Sequence, residues 1–498
     1  MSGLPKKILV ANRGEIAVRV MRSCHELGIQ TVAVYSEVDR KALHVRMANE
    51  AYCIGPAPSS QSYLRGDAIL EVAKESGADA IHPGYGFLSE NAGFAQKVLD
   101  AGLVWIGPKP FAIQAMGSKT ESRARMVAAG VPVVPGGTEP IVSPEEALSI
   151  ANDMGYPVMI KASAGGGGKG MREVSKEEEL IPAFNAARSE ARNSFGDDSV
   201  YIEKRIIRPR HVEVQVLADQ HGTVVHLFER DCSIQRRHQK VVEESPCPVL
   251  LPETRRAMTQ VAIQAAKAVH YEGAGTIEFL LGEDQSFYFL EMNTRLQVEH
   301  PITEMVTGVD LVQAQIRVAS GEALSFSQED LQQKGHAIEC RVYAEDAANN
   351  WAPSPGLLRC YTEPSGPSIR VDSGVYEGSE VTVYYDPMVS KLVVWGENRA
   401  DAIRRLKRAL NEYQILGIQT SIPFFQALMD DADFLSGVYD TGFLTQEKMN
   451  QLTAYDDSID PDLVAALAIL ALEKDLTLKP AVSKRQHSKW KWFYQEKR

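Results

Sequence analysis

The sequence predicts an α/β protein that divides into roughly three domains. A chain of 498 residues is too long for a single hydrophobic core. In its first part, apolar strands alternate with helical patterns, which is typical of a doubly wound parallel sheet. The later parts carry further strands beside helical segments. We therefore expect a mixed α+β domain at the C-terminal end.

The composition is that of an ordinary soluble globular protein. Apolar residues make up 44% of the chain and charged residues 24%. The net charge of −12 argues against a general nucleic-acid-binding protein, although it does not exclude a local basic patch. We expect no nucleic-acid partner.

The cysteines and the N-terminus favour a cytoplasmic protein. The six cysteines show no CxxC or CxxH spacing, which favours reduced thiols over a disulfide framework or a zinc site. The N-terminus enters a strand at once and has no apolar signal core. The apolar run from Leu463 to Leu472 is much shorter than the ~20 residues that a membrane-spanning helix needs. We expect no membrane association.

Residues 1–117 are predicted to form the parallel-sheet domain. A helix is expected over Glu15–Leu27, and strands are expected at Lys7–Val10, Thr31–Tyr35, Ala78–His82 and Val104–Ile106. The first turn, Ala-Asn-Arg-Gly, lacks the GxGxxG that a dinucleotide pyrophosphate needs. A nicotinamide or flavin site is therefore not expected.

The rest of the chain is predicted to form a central domain at 118–335, a C-terminal domain at 336–447 and an extension at 448–498. The central domain contains a lid, at ~135–203, with a run of glycines that we expect to be mobile without ligand. Within the same domain, His211–Leu217 is predicted to be a half-buried strand with Val212, Val214 and Val216 on one face.

Two acidic strands predict a metal site. If Phe287–Asn293 is a strand, Glu291 and Asn293 leave the same face, because side chains alternate with period two. A second apolar strand, Thr276–Leu281, is interrupted by Glu278, and a buried carboxylate needs a positive partner. Side by side, the two strands would form an oxygen-only pocket of the kind that Mg²⁺ prefers. The alternative is a solvated turn between a strand and a helix.

Arg295, Gln297 and Glu299 follow the acidic strand, again at strand spacing. We expect these three side chains to lie beside the acidic pocket.

The glycine run predicts contact with phosphate. The strand Tyr156–Lys161 ends in a lysine, and Gly165, Gly166, Gly167 and Gly168 follow closely. Consecutive glycines let backbone N–H groups approach phosphate oxygens, and a lysine at the strand end adds a point charge. The Walker pattern is absent, because Gly170 follows Lys169. The alternative is a flexible linker.

Two further segments are less specific. The strand end Glu203, Lys204, Arg205 and Ile206 offers the hydrogen bonds and the apolar surface that an adenine requires, but a solvated strand end explains it equally well. A basic cluster follows, which would bind small anions or neutralise nearby acids, and it lacks the aromatic residues that nucleic-acid binding would want. Its members are Arg230, Arg236, Arg237, His238 and Lys240.

Together these segments resemble the ATP-grasp ligases, and within them the biotin carboxylases. The resemblance covers nearly the whole chain, because the long motifs occur in order. They are ANRGEIAVR at 11–19, HPGYGFLSEN at 82–91, the glycine loop, RPRHVEVQV at 208–216, ERDCSIQRRHQKVVEE at 229–244, EMNTRLQVEHPITE at 291–304 and ECRVYAED at 339–346.

The resemblance implies ATP and Mg²⁺ (or Mn²⁺) as cofactors, bound by the central ATP-grasp domain. Lys119, Lys161 and the glycine loop would hold the phosphates, and the strand end at 203–206 would take the adenine. His211, Gln235 and His238 would line the nucleotide. Glu278 and Glu291 would hold the metal ion together with Asn293, as the acidic strands also predict.

The resemblance also implies a bicarbonate pocket made of Lys240, Arg295, Gln297 and the backbone N–H of Val298. Glu299 would be the general base, and cations around it should keep it ionised. Arg341 would stabilise the oxyanion of the biotin enolate. The alternative for Arg341 is a structural ion pair with Glu339 or Glu345.

The implied reaction is ATP-dependent carboxylation of biotin through carboxyphosphate. No Met-Lys dipeptide of the kind that receives biotin in the family's carrier module occurs in the chain. Biotin is therefore expected on a separate carrier protein, beside carboxyltransferase subunits, and a homodimer is a family expectation. Two alternatives are another ATP-grasp carboxylate–amine ligase and a catalytically silent scaffold. The final acceptor, acetyl-CoA, propionyl-CoA or pyruvate, stays open.

The C-terminal extension gathers basic residues around Trp490, Trp492, Phe493 and Tyr494. The alternatives are a docking peptide for the partner subunits, a nucleic-acid or membrane contact, and a disordered end; aromatic residues beside cations favour docking.

We expect deletion of residues 476–498 to weaken complex assembly while carboxylation of free biotin survives. Unchanged assembly in size-exclusion chromatography would reject the docking hypothesis.

Overall fold

The computed structural model describes residues 3–137, 140–162, 171–195, 197–454 and 469–470. The glycine run Gly165–Gly168 lies outside these described residues, and so does almost all of the extension after residue 454, including its aromatic segment.

The N-terminal part forms the predicted parallel sheet. Its strands lie in the order β3-β2-β1-β4-β5, and each pair is parallel. Val10 packs into the core on one face of the sheet and Leu9 into the core on the other. Both faces are therefore covered, as parallel sheets require. The strands are β1 Lys7–Val10, β2 Gln30–Ser36, β3 Glu50–Gly55, β4 Ala80–His82 and β5 Val104–Trp105; the helices are α1 Gly14–Glu26, α2 Leu43–Met47, α3 Gly66–Ser76, α4 Ala92–Asp100 and α5 Pro110–Gly117.

The next part is a small antiparallel sheet with its own core. The strands lie in the order β7-β6-β8. Helices α7 and α8 cover it, and Phe184 and Ala147 pack against Ile160 and Val158. The predicted glycine loop connects β6 and β7 in sequence. The elements are α6 Lys119–Ala128, α7 Pro144–Met154, β6 Val158–Ala162, β7 Met171–Val174, α8 Leu180–Phe195 and β8 Val200–Lys204.

The remaining elements include one large antiparallel sheet, three small strand pairs and the helices beside them. The strands are β9 Arg210–Ala218, β10 Val224–Arg236, β11 Gln239–Ser245, β12 Gly273–Leu281, β13 Phe287–Asn293, β14 His336–Tyr343, β15 Glu345–Asp346, β16 Ala352–Pro353, β17 Gly356–Leu357, β18 Cys360–Thr362, β19 Ile369–Ser373, β20 Glu380–Val381, β21 Met388–Gly396 and β22 Gln414–Leu416. The helices are α9 Pro252–Ala268, α10 His300–Thr307, α11 Leu311–Ala319, α12 Arg399–Glu412, α13 Ile422–Leu428, α14 Ala432–Ser436 and α15 Gln446–Leu452.

The large sheet has the strand order β13-β12-β9-β10-β11-β14-β21-β19. It therefore runs without a break across the predicted boundary between residues 335 and 336, because β11 pairs with β14. The short strands form three separate two-stranded pairs, β15 with β16, β17 with β20 and β18 with β22.

Strand β9 departs from its prediction in one respect. Val212, Val214 and Val216 do share a face and pack into the central core, as expected. The strand is nevertheless buried on both faces, and the prediction of a half-buried strand is wrong. Its polar face, which carries His211 and Glu213, is covered by charged side chains of neighbouring elements.

The N-terminal helix is joined to the rest of the fold by buried ion pairs and by close backbone packing. Arg19 of α1 donates to Glu304 of α10 at 2.8 Å and to Asp310 at 3.0 Å. Gly374, just after β19, lies so close to α1 that a Cβ there would be 2.5 Å from the backbone nitrogen of Glu15.

Within the described ranges, the helices are too short or too polar to cross a bilayer.

We expect Gly374→Ala to destabilise the protein by ~1–3 kcal/mol, because backbone atoms of α1 would have to move to admit the methyl group. Urea unfolding monitored by circular dichroism measures the change. Gly117→Ala is the matched control, since a Cβ at Gly117 meets nothing within 4 Å. Equal stability of the two variants would contradict the close packing.

Candidate active site

The two predicted acidic strands are neighbours and bring their carboxylates together. In the β12–β13 ladder, Glu278 is paired with Glu291, and Thr276 with Asn293. Glu278 is buried, whereas Glu291 is exposed. The amide nitrogen of Asn293 donates to Oε1 of Glu278 at 2.9 Å. The predicted pocket of Glu278, Glu291 and Asn293 is therefore assembled in space.

This pocket has the chemistry of a divalent cation site. Partial desolvation and the negative charge of Glu278 raise the pKa of Glu291, so the two carboxylates repel one another. A hard cation between oxygen ligands would relieve that repulsion. The residues therefore fit Mg²⁺ or Mn²⁺. The side-chain oxygen of Asn293, Oδ1, accepts a hydrogen bond from Arg295 at 3.0 Å.

The segment after β13 is irregular, so the prediction of strand spacing for Arg295, Gln297 and Glu299 is wrong. Helix α10 begins at His300, with Glu299 at its N-cap and Pro301 in its first turn. A proline lacks the N–H that a strand ladder would use, and it suits the start of a helix. Arg295 and Gln297 nevertheless donate to Asn293 and Glu278 of the acidic pocket. Glu299 is linked to the pocket through Lys240.

Gln297 and Arg295 are both fixed by hydrogen bonds. Gln297 donates to Oε1 of Glu278 at 2.8 Å, and it is almost completely buried. Arg295 pairs with Glu90 at 2.9 Å through its Nε. Next to Gln297 in the chain, the carbonyl oxygen of Val298 accepts from the buried Lys391 at 2.8 Å.

Lys240 lies at the centre of the site. Its ammonium group contacts Glu213 at 2.6 Å, Glu278 at 2.8 Å and Glu299 at 2.7 Å. Burial opposes the charge, but the three carboxylates outweigh it and raise the pKa of Lys240 well above its ordinary value. Lys240 is therefore a fixed positive charge.

Glu299 is held between two cations. Besides Lys240, it accepts from Arg341 at 2.9 Å. Burial favours the neutral acid, but Lys240 and Arg341 reverse that effect and hold the pKa of Glu299 well below its usual range. The predicted ionised state of Glu299 thus has a direct physical cause.

The ion-pair partners of Arg341 differ from Glu339 and Glu345, which were expected if Arg341 had only a structural role. It contacts Glu243 at 2.6 Å and Glu299 at 2.9 Å. Glu345 instead pairs with Arg236 at 2.7 Å. Arg341 lies in β14 and reaches across to the site because β14 pairs with β11, the strand that carries Lys240 and Glu243.

The sequence patterns missed Glu213, and of the two roles left open for the basic cluster the structure gives Arg230 the neutralisation of a nearby acid. Arg230 belongs to the predicted anion-binding cluster, but its side chain is completely buried. Its five N–H groups have five acceptors: it donates to the side-chain oxygens of Glu213, Gln215, Thr303, Thr276 and Gln297. The alternation of His211, Glu213 and Gln215 along β9 was the available signal for this buried polar face.

The residues predicted to bind nucleotide are spread over the small sheet and the ends of the large one. Lys161, in β6, pairs with Glu203, in β8, at 2.5 Å, and Arg123 approaches the same carboxylate at 3.3 Å. Lys204 donates to the carbonyl oxygen of Gly155 at 2.9 Å. Arg205 contacts Glu173 at 2.5 Å. Half-buried Ile206 follows β8.

Four more of these residues lie on other elements. Nε2 of His211 is 3.0 Å from Glu278, which raises the pKa of this histidine against the effect of burial. Lys119 begins α6, and its charge partly offsets the rise in the pKa of Glu291 that burial and Glu278 cause. Gln235 donates to the carbonyl oxygen of Cys232 at 2.8 Å. His238 is exposed in the turn between β10 and β11, with a φ of 65°.

Comparison with known families covers nearly all of the described chain. The biotin carboxylase N-terminal domain matches residues 4–113, the ATP-binding domain of the carbamoyl-phosphate synthase L chain matches 118–327, and the biotin carboxylase C-terminal domain matches 339–446. The three matches follow one another along the chain and together cover most of it.

Two relatives and one solved structure show the same similarity. A pyruvate carboxylase subunit of Methanothermobacter thermautotrophicus is 57% identical over 88% of this chain and 89% of its own. Biotin carboxylase 1 of Bacillus subtilis is 55% identical over 88% and 98%. The biotin carboxylase domain dimer of Hydrogenobacter thermophilus 2-oxoglutarate carboxylase, in complex with MgADP, ADP and bicarbonate, has a TM-score of 0.83 and 48% identity over 91% of this chain and 100% of its own.

The site geometry, the three domain matches and identities above 50% over most of the chain agree with one another. The chain belongs to the biotin carboxylase family, whose members carboxylate biotin at the expense of ATP.

Proposed function

We propose that this chain carboxylates biotin in one cleft, in two consecutive steps whose cations, Lys240 and Arg341, meet at Glu299. The observation that supports this most strongly is the position of Glu299, which is held by both Lys240 and Arg341. Lys240 also contacts Glu278 of the acidic pocket. Glu299 therefore lies between the cation of the bicarbonate site and the cation that serves biotin.

In the first step, Glu299 takes the proton of bicarbonate. Lys240, Arg295, Gln297 and the backbone N–H of Val298 bind the small planar oxyanion, for which a guanidinium fork and fixed donors are well suited. The deprotonated oxygen attacks the γ-phosphate of ATP, which yields carboxyphosphate and releases ADP. The low pKa of Glu299 keeps the carboxylate ready to accept that proton at neutral pH.

The nucleotide is held by residues from several helices and strands. Lys161 and Lys119 supply positive charge to the phosphates, together with the glycine loop at 165–168. Residues 203–206 take the adenine, while His211, Gln235 and His238 line the remaining surface. Glu278, Glu291 and Asn293 hold Mg²⁺ or Mn²⁺, which neutralises phosphate charge when bound.

In the second step, carboxyphosphate breaks down to carbon dioxide and phosphate. Phosphate removes the ureido N–H proton of biotin, and the resulting nitrogen attacks carbon dioxide. Arg341 stabilises the oxyanion of the biotin enolate. A preorganised donor of this kind typically contributes ~3–4 kcal/mol to the stability of the transition state.

The finer biological context is also a proposal. We infer that biotin arrives on a separate carrier protein, that carboxyltransferase subunits complete the assembly, and that the chain forms a homodimer. The similarity to a subunit of pyruvate carboxylase and to a biotin carboxylase domain dimer supports these inferences. Six free cysteines support a reducing, cytoplasmic location.

We expect Glu299→Gln to lower bicarbonate-dependent ATP cleavage by ~10²–10⁴-fold, because the amide cannot take a proton. ATP binding, measured by calorimetry, should persist. Glu345→Gln is the control, since Glu345 pairs with Arg236 away from Lys240. Retention of ATP cleavage in Glu299→Gln would remove Glu299 from the role of base.

We expect Arg341→Lys to slow carboxylation of free biotin by ~10²-fold or more, with a smaller loss of ATP cleavage. The lysine keeps a positive charge beside Glu243 and Glu299, but it loses the guanidinium geometry. The measurement is a parallel assay of carboxybiotin and ADP. Equal losses in both assays would refute separate roles for Arg341 and Glu299.

A further inference from the structure

Two acidic side chains beside the site have no part in the proposed reaction. Glu243, in β11, and Glu339, in β14, are paired positions of an antiparallel ladder. Both side chains are completely buried. Side chains at paired positions of this kind have Cβ atoms ~4.5–5.5 Å apart. Two carboxyl groups are therefore held together away from water.

The surrounding donors do not satisfy this pair. Oε1 of Glu243 accepts from Arg341 at 2.6 Å. The other oxygen of Glu243 and both carboxyl oxygens of Glu339 have no hydrogen-bond partner within the part of the chain that the structure describes. The buried Lys391 donates to the carbonyl oxygen of Val298 and lies 3.3 Å from Glu15. Two ionised acids with three unsatisfied oxygens would be very costly to bury.

We propose that Glu243 and Glu339 share one proton, and that this proton preserves the positive charge of Arg341 that faces the substrate. The O–H of protonated Glu339 donates to the free oxygen of ionised Glu243, which in turn pairs with Arg341. Arg341 then balances the charges of Glu243 and Glu299, and no third carboxylate competes for it. Glu243 and Glu339 are positioning residues, and their role rests on the proposed function of Arg341.

The charges around the pair fit this arrangement. Burial and the charge of Glu299 raise the pKa of Glu243 to about 7, against the pull of Arg341 and Lys240. Burial and the charge of Glu243 raise the pKa of Glu339 well above its usual value, against the pull of Lys391 and Arg341. As the pH rises through neutrality, Glu243 therefore ionises first and Glu339 keeps the shared proton.

The test uses Glu339→Gln, because an amide imitates the protonated acid and cannot ionise. At about pH 7.5, we expect both ATP cleavage and biotin carboxylation to stay within about threefold of wild type. Glu243→Gln should behave differently, since it removes the anion that holds Arg341. For this variant we expect biotin carboxylation to fall at least about tenfold, with a smaller change in ATP cleavage.

Unfolding as a function of pH tests the shared proton without any activity assay. The raised pKa of Glu339 means that the folded wild type keeps a proton that the unfolded chain, with a carboxyl pKa near ~4.3, has lost. The free energy of unfolding of wild type therefore decreases as the pH rises above the carboxyl pKa of the unfolded chain. In Glu339→Gln this cause of the decrease is absent. The thermal midpoint of Glu339→Gln minus that of wild type should therefore increase as the pH is raised from about 5.5 to about 8.5.

Glu322→Gln is the control for this measurement, because Glu322 pairs with Arg317 near the surface and its side chain is 41% exposed. If the difference in thermal midpoint between Glu339→Gln and wild type does not change with pH, the proposal of a shared proton is overturned. If Glu339→Gln does not fold, the infrared spectrum of wild type at about pH 8 decides. A protonated carboxyl band that shifts in Glu243→Gln, because the charged acceptor of its hydrogen bond is replaced by a neutral amide, supports the proposal. The absence of any such band, or a band that Glu243→Gln leaves unchanged, overturns it. If wild type shows no bicarbonate-dependent ATP cleavage, the proposed function is refuted. The unfolding data would still test whether Glu243 and Glu339 share a proton.

Discussion

The site depends on one ammonium group that three buried carboxylates share. Lys240 contacts Glu213 from β9, Glu278 from β12 and Glu299 from the start of α10. Without that charge, three ionised acids would be desolvated beside one another, at several kcal/mol each. The fold can bring these elements together because Lys240, with Arg230 beside Glu213 and Arg341 beside Glu299, balances the negative charge that they carry. In the proposed reaction, bicarbonate must enter this cluster and compete with Glu299 for the same ammonium group.

The continuous antiparallel sheet explains how the residues of the two proposed steps come to lie side by side. Strands β12 and β13 carry the acidic pocket, and β14, three strands beyond β9 in the sheet, carries Arg341. Strand β11 lies between them and presents both Lys240 and Glu243. A rigid sheet fixes the separations among these groups better than loops between domains would. One family match ends at residue 327 and the next begins at 339, but the sheet continues across this region because β11 pairs with β14.

Periodicity in the sequence was sufficient to predict much of this arrangement. The spacing of Glu291 and Asn293, and the charge within an apolar strand at Glu278, predicted two paired strands that the structure contains. The same rule failed for the segment after Asn293, because Pro301 starts a helix and the chain turns before it. The ladder between β11 and β14 joins residues almost a hundred positions apart, and no local pattern indicates such a pairing. The partners of Arg341 could not be predicted for this reason.

Arg230 and Arg341 show what separates a structural arginine from one that can meet a substrate. Both lie on strands of the same sheet and both contact buried glutamates. The side chain of Arg230 is 0% exposed, and five acceptors use its five N–H groups. The side chain of Arg341 is 11% exposed, and its carboxylate partners are Glu243 and Glu299. Removing charge from Arg230 would leave buried acceptors without donors and destabilise the fold. In the proposed reaction, Arg341 exchanges a carboxylate for a developing oxyanion, because its side chain is partly exposed and its partner Glu299 changes protonation.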